Sequence, residues 1–559
     1  MFDDTDVIVV GGGPVGLTLA IDLGRRGIRC TLLERREHPP MLPKMELCNP
    51  RTMEIYRRLG IADDIRAAGY PADAPMDVLV TTSLNDPPLL RLKYPCVNAA
   101  QAAIRDHNDG RRPREAYQRI SQYTLEPLLK RLAERTPNVT VSFGCMLTDF
   151  VQDGAGIVAT VASTDGATGT MRAKYLVGCD GANSTVRERL GIAVVGGAAG
   201  PKLIQVFFRS DDLLSRHPLG PARHYYIFGT RGAVLVTQDD LRYYAINALA
   251  EPPVDPQTLI DEVVGRPVSA EILRVGYWTP MLVVAERYAA GRVFLAGDAA
   301  HQYIPTGGFG MNTGVGDAYD LGWKLAGTIR GWGGPELIAS YDAERRQIGW
   351  RNLRASEAAA LGGRGWRAAY YPSIRDNTAE ARSRRAEMIR LIDEGQRKSH
   401  EMDGIELGYR YLDSPLIWPE PGESPDPNNP VYEPTTWPGA RLPHVWLSDG
   451  TALHDQIGEG YTLLLIGAAR DEAAGILQAF GERGAPLDSI EVPDTRARNI
   501  YGCRLILLRP DLHVVWRGDR APDNPEMLAA IATGHHGVRH LRSDACCPVR
   551  DPAALMNRI

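Results

Sequence analysis

A chain of 559 residues is too long for one hydrophobic core and divides into about two to four domains on size alone. Its 44% apolar and 23% charged residues are those of a globular protein. A net charge of -5, with no basic block or acidic tail, offers nothing for nucleic acid or a membrane surface to hold. No apolar run reaches the roughly 18 residues of a membrane span, and the acidic start MFDDTD shows neither a basic region nor a cleavage pattern, so the expected location is cytoplasmic. The eight cysteines form no CxxC and read as reduced thiols.

DVIVVGGG (6–13) predicts a strand, residues 14–26 a helix, and CTLLE (30–34) a second strand. Gly11, Gly13 and Gly16 place G-x-G-x-x-G between the first strand and the helix, with Pro14 and Val15 in the opening turn. The first glycine permits the tight turn, the second lets backbone approach a pyrophosphate, and the third lets helix pack on strand. The helix N-terminus then turns its partial positive charge on the phosphates. Glu34 ends the second strand, where an acid accepts hydrogen bonds from ribose hydroxyls, and its neighbour Arg35 is counted with it. FAD and NAD both satisfy this pattern, whereas Glu34 would repel the 2′-phosphate of NADP. No second strand–GxGxxG–helix–acid run exists, so one bound dinucleotide is the count.

Residues 50–69 and 121–135 predict helices, and VTVSFG, GIVATVAS and AKYLVGCDG return to strand, which is βαβ grammar with an antiparallel insert. Residues 200–280 are rich in strand formers and aromatics and predict a sheet of their own; 313–400 predict helix. Between them, GRVFLAGDAAHQYIPTGGFGMN (291–312) runs an apolar strand into Asp298, which either caps the next turn or meets a polar group from outside the chain. Nine prolines in 415–443 predict an extended connector, and YTLLLIG and CRLILLRPDLHVVWRG give strands to a C-terminal α/β domain. The expected division is 1–182 with 281–412, an inserted 183–280, a linker 413–443, and 444–559. His444, His454, His535 and His536 lack ligand spacing, so no metal site is expected.

CDGANSTVR (179–187) and GDAAHQYIP (297–305), following the N-terminal fingerprint, resemble the DG and GD motifs of the flavoprotein aromatic hydroxylases. These are single-component FAD monooxygenases with the para-hydroxybenzoate hydroxylase fold. PGARLPHVWL and LLRPDLHVVWRG resemble the larger phenol-hydroxylase-like branch, whose C-terminal domain is thioredoxin-like. The implied fold class is α/β and α+β: a Rossmann-like FAD-binding domain, an inserted β-sheet substrate domain, and a thioredoxin-like C-terminal domain. The resemblance further implies that Asp298 reaches the ribityl hydroxyls of FAD, an acceptor-only carboxylate meeting donors. Pro305 and Gly310 would bring backbone close to the isoalloxazine, and Met311 and Asn312 would open the next helix with N–H groups toward its pyrimidine edge. Asp180 would position the cofactor, cap the following helix, or do both. Lys44 stands where many relatives carry an FAD-contacting Arg. Gln122 matches an FAD-contacting Gln, its alternative being an exposed helix-start residue.

The implied reaction is hydroxylation of a phenolic or polycyclic aromatic substrate: NAD(P)H reduces FAD, O2 adds to give a flavin hydroperoxide, and its distal oxygen attacks an electron-rich ring carbon. Phenolate formation wants a base, and Glu46, aligned on Lys44, is the candidate; the alternative is a surface or FAD-neighbouring carboxylate. Tyr225, Tyr226 and Phe228 either line the pocket or are plain core. His301 is expected to satisfy local backbone groups, and Arg187 to be an ordinary exposed helix residue. The alternative function is a non-hydroxylating flavoprotein reductase or dehydrogenase on the same fold; a more distant one is a ligand-sequestering flavin protein. Without a CxxC, the C-terminal domain reads as a packing or oligomer-interface module, which admits a homodimer.

Overall fold

Val7–Val10 is apolar and fully buried, as a strand covered on both faces must be. In the computed structural model, which describes residues 3–228, 231–238 and 241–536, it pairs in parallel with Cys30–Glu34 on one side and Tyr175–Gly178 on the other. Val293–Leu295 joins beyond Tyr175–Gly178, also in parallel, and Val139–Phe143 beyond Cys30–Glu34. Because these strands run one way and Val10 is in register with both Leu33 and Gly178, their C-terminal ends form a single edge. Gly11, Glu34, Asp180 and Asp298 all lie at that edge, the crest where open α/β sheets bind ligands. The helices Pro14–Arg25 and Phe309–Arg330 pack against each other over the sheet. The antiparallel insert is Cys145–Gln152, Ile157–Ser163 and Thr168–Ala173.

The middle sheet has seven strands, and two of them correct the expected boundaries. Val78–Thr81 pairs in parallel with His224–Ile227, and Leu90–Leu92 pairs with Val78–Thr81, so the first segment lends this sheet two strands. Conversely, Val194–Ala198 leaves it to pair with Met281–Ala285 in a separate small sheet. Side chains alternate across the middle sheet. Ile204, Val206, Phe208, Tyr225, Ile227 and Leu235 point into a core closed by the helix Pro256–Val264. Gln205, Phe207, His224, Tyr226, Val234 and Asn247 therefore occupy the opposite face.

The proline-rich stretch is extended, as its composition requires, yet it is strapped down: Leu416, Ile417, Tyr432 and Thr436 are buried along it. Beyond it, Tyr461–Leu465 pairs in parallel with Leu487–Glu491 and antiparallel with Leu505–Leu508, which in turn pairs antiparallel with Val514–Gly518. Helices Ala474–Glu482, Thr495–Tyr501 and Pro525–Ala532 complete this unit. Residues 537–559, the last part of the expected C-terminal domain, lie outside the described residues, as do Cys546 and Cys547.

A buried charge cluster joins this unit to the helices below. Arg509 bonds Glu344 (2.6 Å), Asp320 (2.8 Å) and Asp511 (2.7 Å), and Lys324 bonds Asp320 (2.7 Å) and Glu344 (2.5 Å). Nearby, Arg441 holds Glu54 at 2.7 Å, and Arg57 and Arg114 converge on Asp455. Isolated charges at the depth of Asp320, Glu344, Asp511 and Glu54 would be expensive; here each of these carboxylates faces a cation. No described helix is long and apolar enough to cross a membrane.

Candidate active site

The three fingerprint glycines are forced by different things. Gly11 sits at φ +112°, and a Cβ there would lie 2.3 Å from the Cys179 carbonyl oxygen. At Gly16 a Cβ would lie 2.1 Å from the Gly11 carbonyl oxygen. Gly13 differs: its nearest neighbour would be Glu126 Oε1 at 4.0 Å, so nothing in the protein's own packing demands a glycine there. The helix it opens has no side-chain cap, which leaves backbone donors of the first turn facing outward past Pro14 and Val15.

Glu34 is buried and accepts the Gly12 N–H at 2.8 Å and the Arg36 N–H at 3.0 Å, one bond on each oxygen. It retains lone pairs for a further donor. Arg35 and Lys44 are exposed beside this edge. Gln122 is half-buried rather than exposed; its N–H bonds the Met45 carbonyl at 3.0 Å and its side chain donates to Glu126 at 2.5 Å. Burial pushes the Glu126 carboxyl up to about 6, against that hydrogen bond and the charge of Lys44. Sequence reading passed over Glu126, whose only signal was an acid on the inward side of the 122–135 helix.

Asp180 caps: it accepts from the Ser184 hydroxyl at 2.5 Å and the Val186 N–H at 3.1 Å, and burial raises its pKa despite both bonds. Arg187 is a correction. It is buried, not exposed, and its guanidinium bonds the Ala299 and Ala182 carbonyls at 3.1 and 3.0 Å. It therefore ties the 179–187 segment to the 297–305 segment across 112 residues of chain.

Asp298 stands at the end of its buried strand with its side chain exposed, and it caps nothing: the turn Gly297–Ala299 has no side-chain cap. His301 is a second correction, because its partner is a side chain. Its Nε2 meets Asp317 at 2.8 Å, and Asp317 also takes the Gly297 N–H and the Arg345 guanidinium. Pro305 is exposed, and the next helix opens at Phe309, two residues earlier than Met311. Its N-cap Gly308 is left-handed at φ +69°, without a side-chain cap, and a Cβ on Gly310 would meet nothing within 4 Å. Met311 is half-buried in that first turn. The Asn312 side chain is spent within the protein. It accepts from the Asn49 N–H (3.0 Å) and Thr52 hydroxyl (2.6 Å) and donates to the Leu47 and Gly308 carbonyls.

The FAD binding domain family matches residues 4–356, and the aromatic-ring hydroxylase C-terminal family matches residues 435–535. The first match alone covers more than half of the chain and spans all three motifs. This chain is an FAD-dependent aromatic-ring hydroxylase. It is 33% identical to the FAD-dependent monooxygenase apdD of Emericella nidulans, over 94% of this chain and 90% of that one. Among solved structures it is similar to RebC with bound 7-carboxy-K252c (TM-score 0.87, 31% identity, 96% of this chain and 100% of that one). It is likewise similar to the ternary complex of aklavinone-11 hydroxylase with FAD and aklavinone (TM-score 0.79, 29% identity, 95% and 99%).

The residues of the hydroxylase fit FAD. Gly13 and Gly310 leave room that no protein atom fills, two uncapped helix N-termini present donors, and Asp298 holds an exposed carboxylate at the same sheet edge. On the face of the middle sheet that turns away from its helix-covered core, the Gln205 side chain donates to the Pro43 carbonyl at 3.4 Å and to Asn247 Oδ1 at 3.2 Å. Tyr225 belongs to the opposite core, whereas Tyr226 and Phe228 pack on Trp366.

Glu46 sits between this face and the Lys44 segment. It accepts from Arg223 Nε at 2.7 Å and Arg119 at 3.0 Å, and its Oε1 lies 2.7 Å from His224 Nε2. Burial alone would raise its pKa; Arg223, His224 and Arg119 overcome that and hold it well below the usual carboxylate range. A carboxylate so firmly ionised is a poor proton acceptor, so the expectation of Glu46 as base gives way to Glu46 as an anchor for two arginines and a histidine. The partners of Glu46 lie 73 to 178 positions away in sequence, and no local motif announces them.

Proposed function

We propose that this hydroxylase uses NAD(P)H and O2 to hydroxylate a phenolic or polycyclic aromatic substrate held between the Phe309 helix tip and the face of the middle sheet that carries Gln205 and Asn247. The observation that supports the reading is the composition of that face, where half-buried Val234, Val236, Gln205 and Asn247 give an apolar wall with a few polar groups. Aklavinone in the related ternary complex is a ligand of the matching class. When bound, FAD accepts a hydride and activates O2 for transfer of one oxygen atom.

The chain's own residues hold and shield. Asp298 accepts from the ribityl hydroxyls, the turn Gly11, Gly13, Pro14, Val15 and Gly16 admits the pyrophosphate, and Glu34, with Arg35 outside it, meets the adenosine ribose. Lys44 and Gln122 flank the phosphates, Asp180 supports the ring-side loop through Ser184, and Pro305, Gly310 and Met311 give backbone to the flavin edge. Asn312 sets the pitch of the helix that does so. We assign 1–182 with 281–412 to the FAD domain, apart from the two strands lent to the middle sheet, and 183–280 to substrate binding. The segment 413–443 serves as a strap, and 444–559 as a packing domain whose strand order supports the thioredoxin-like reading.

The test is oxidation of NADH or NADPH by the FAD-loaded protein across simple phenols and polycyclic phenols, with 18O2 in the headspace. The expected result is substrate-dependent O2 uptake and 18O in the product. Turnover with unlabelled product would replace this reading with a non-hydroxylating reductase.

A further inference from the structure

With Glu46 occupied, the hydroxylase needs another proton acceptor where the substrate ring lies. The helix Asp403–Leu407 supplies one. It is short, and two contacts fix it in place: Arg351 donates to the Gly404 and Ile405 carbonyls at 2.9 and 2.8 Å, and Met402 and Ile405 pack on Phe309 at the tip of the flavin-side helix. Glu406 follows Ile405 in this same short helix. Its half-buried carboxyl takes a hydrogen bond from the Asn49 side chain and feels Arg223. Asn49 in turn gives its N–H to Asn312 in the first turn of the Phe309 helix, and Arg223 directly precedes the middle-sheet strand His224–Ile227 and bonds Glu46. Glu406 thus neighbours Asn49, which is tied to the flavin-side helix, and Arg223, which precedes the strand His224–Ile227 of the middle sheet.

We propose that Glu406 accepts the phenolic proton of the substrate and that Arg223 steadies the oxyanion left behind, an assignment that rests on the hydroxylase reading above. In this step the phenol O–H bond breaks, its electron pair stays on oxygen, and the proton passes to a carboxylate oxygen of Glu406. Arg223 commits only Nε to Glu46, so its two Nη groups are available to that oxygen.

The surroundings suit the task. Burial pushes the Glu406 carboxyl up to about 8, Asp403 on the same helix adds to this, and Arg223 and Asn49 offset only part of it. Beyond these, Arg351 of the neighbouring long helix faces the backbone of the 403–407 helix, and His224, next in sequence to Arg223, packs on His400, burial lowering the pKa of both. A group ionising near 8 matches a phenol far better than one ionised throughout the neutral range, and acid–base assistance of this kind is worth roughly 10²–10⁴ in rate.

The experiment compares wild type, E406Q and E406D as FAD-loaded proteins. In wild type the hydroxylation rate rises with pH through about 8, because the acceptor is the ionised form. E406Q loses that limb and drops roughly 10²–10⁴-fold in rate, while E406D keeps the limb at reduced rate. Infrared difference spectra give a readout independent of turnover: a protonated carboxyl C=O band disappears as pH rises through about 8 and is missing in E406Q. A wild-type pH profile in E406Q, or a carboxyl band identical in both proteins, overturns the assignment. If wild type consumes no NAD(P)H with any phenol, the hydroxylase reading fails, and the infrared band still decides whether Glu406 holds a proton.

Discussion

Replacing Gly13 with alanine separates what the fold requires from what the cofactor requires. Gly13 sits at φ -80° and ψ 179°, a region open to any residue, and its Cβ would come no closer than 4.0 Å to protein. Alanine is a poorer N-cap than glycine by about 0.5–1 kcal/mol. The stiffer unfolded chain returns about 0.4–1 kcal/mol, so apoprotein stability should be unchanged within about 0.5 kcal/mol. Gly11→Ala is the control. It combines backbone strain at φ +112° with a Cβ 2.3 Å from a carbonyl oxygen. These cost about 1–3 kcal/mol each. If Gly13 is open for the pyrophosphate, the added methyl displaces it from the backbone donors and loses at least one charge-assisted hydrogen bond, about 1.5–3 kcal/mol. That corresponds to roughly 10- to 150-fold in Kd. FAD titration by flavin fluorescence quenching, paired with apoprotein denaturant melts, reads both quantities. An G13A apoprotein that unfolds as early as G11A, or one that binds FAD like wild type, would refute the reasoning.

Three further outcomes are expected. D298A should leave the apoprotein melt unaltered, since the exposed carboxylate caps nothing, and should raise the FAD Kd about 10- to 100-fold by calorimetry, consistent with losing one or two charge-assisted bonds; unchanged affinity would remove Asp298 from the cofactor site. FAD affinity should be highest below about pH 6 and fall as pH rises through it, because the protonated Glu126 beside Gly13 does not oppose phosphate charge and the ionised form does. E126Q should flatten that dependence, and a slope surviving in E126Q would contradict it. R509A leaves Asp320, Glu344 and Asp511 short of a buried cation and should cost about 3–5 kcal/mol in denaturant unfolding; a wild-type midpoint would show the cluster to be passive.

Features decided by backbone geometry within a few residues were legible in the sequence. The glycine turn after Val10, the acid at Glu34 and the apolar strand ending at Asp298 all follow from local sterics and desolvation, and they occupy one edge of one sheet. Features decided by partners far along the chain were not. Nothing around Val78 says that it will pair with His224, and nothing near Arg187 points to the Ala299 carbonyl. Glu46 shows the same limit in the site itself: its position beside Lys44 suggested chemistry, but Arg223 and His224 decide its charge. Glu406 and Glu126 were missed because an acid inside a helical stretch carries no periodic signal of being enclosed.

The cluster around Arg509 has a bearing on how such chains can be recombined. A C-terminal domain grafted from a relative replaces Arg509 and Asp511 but finds Asp320, Glu344 and Lys324 belonging to the recipient. Any mismatch strands a charge away from water, so crossovers in shuffled libraries should survive only when the residues on both sides of this seam descend from the same parent.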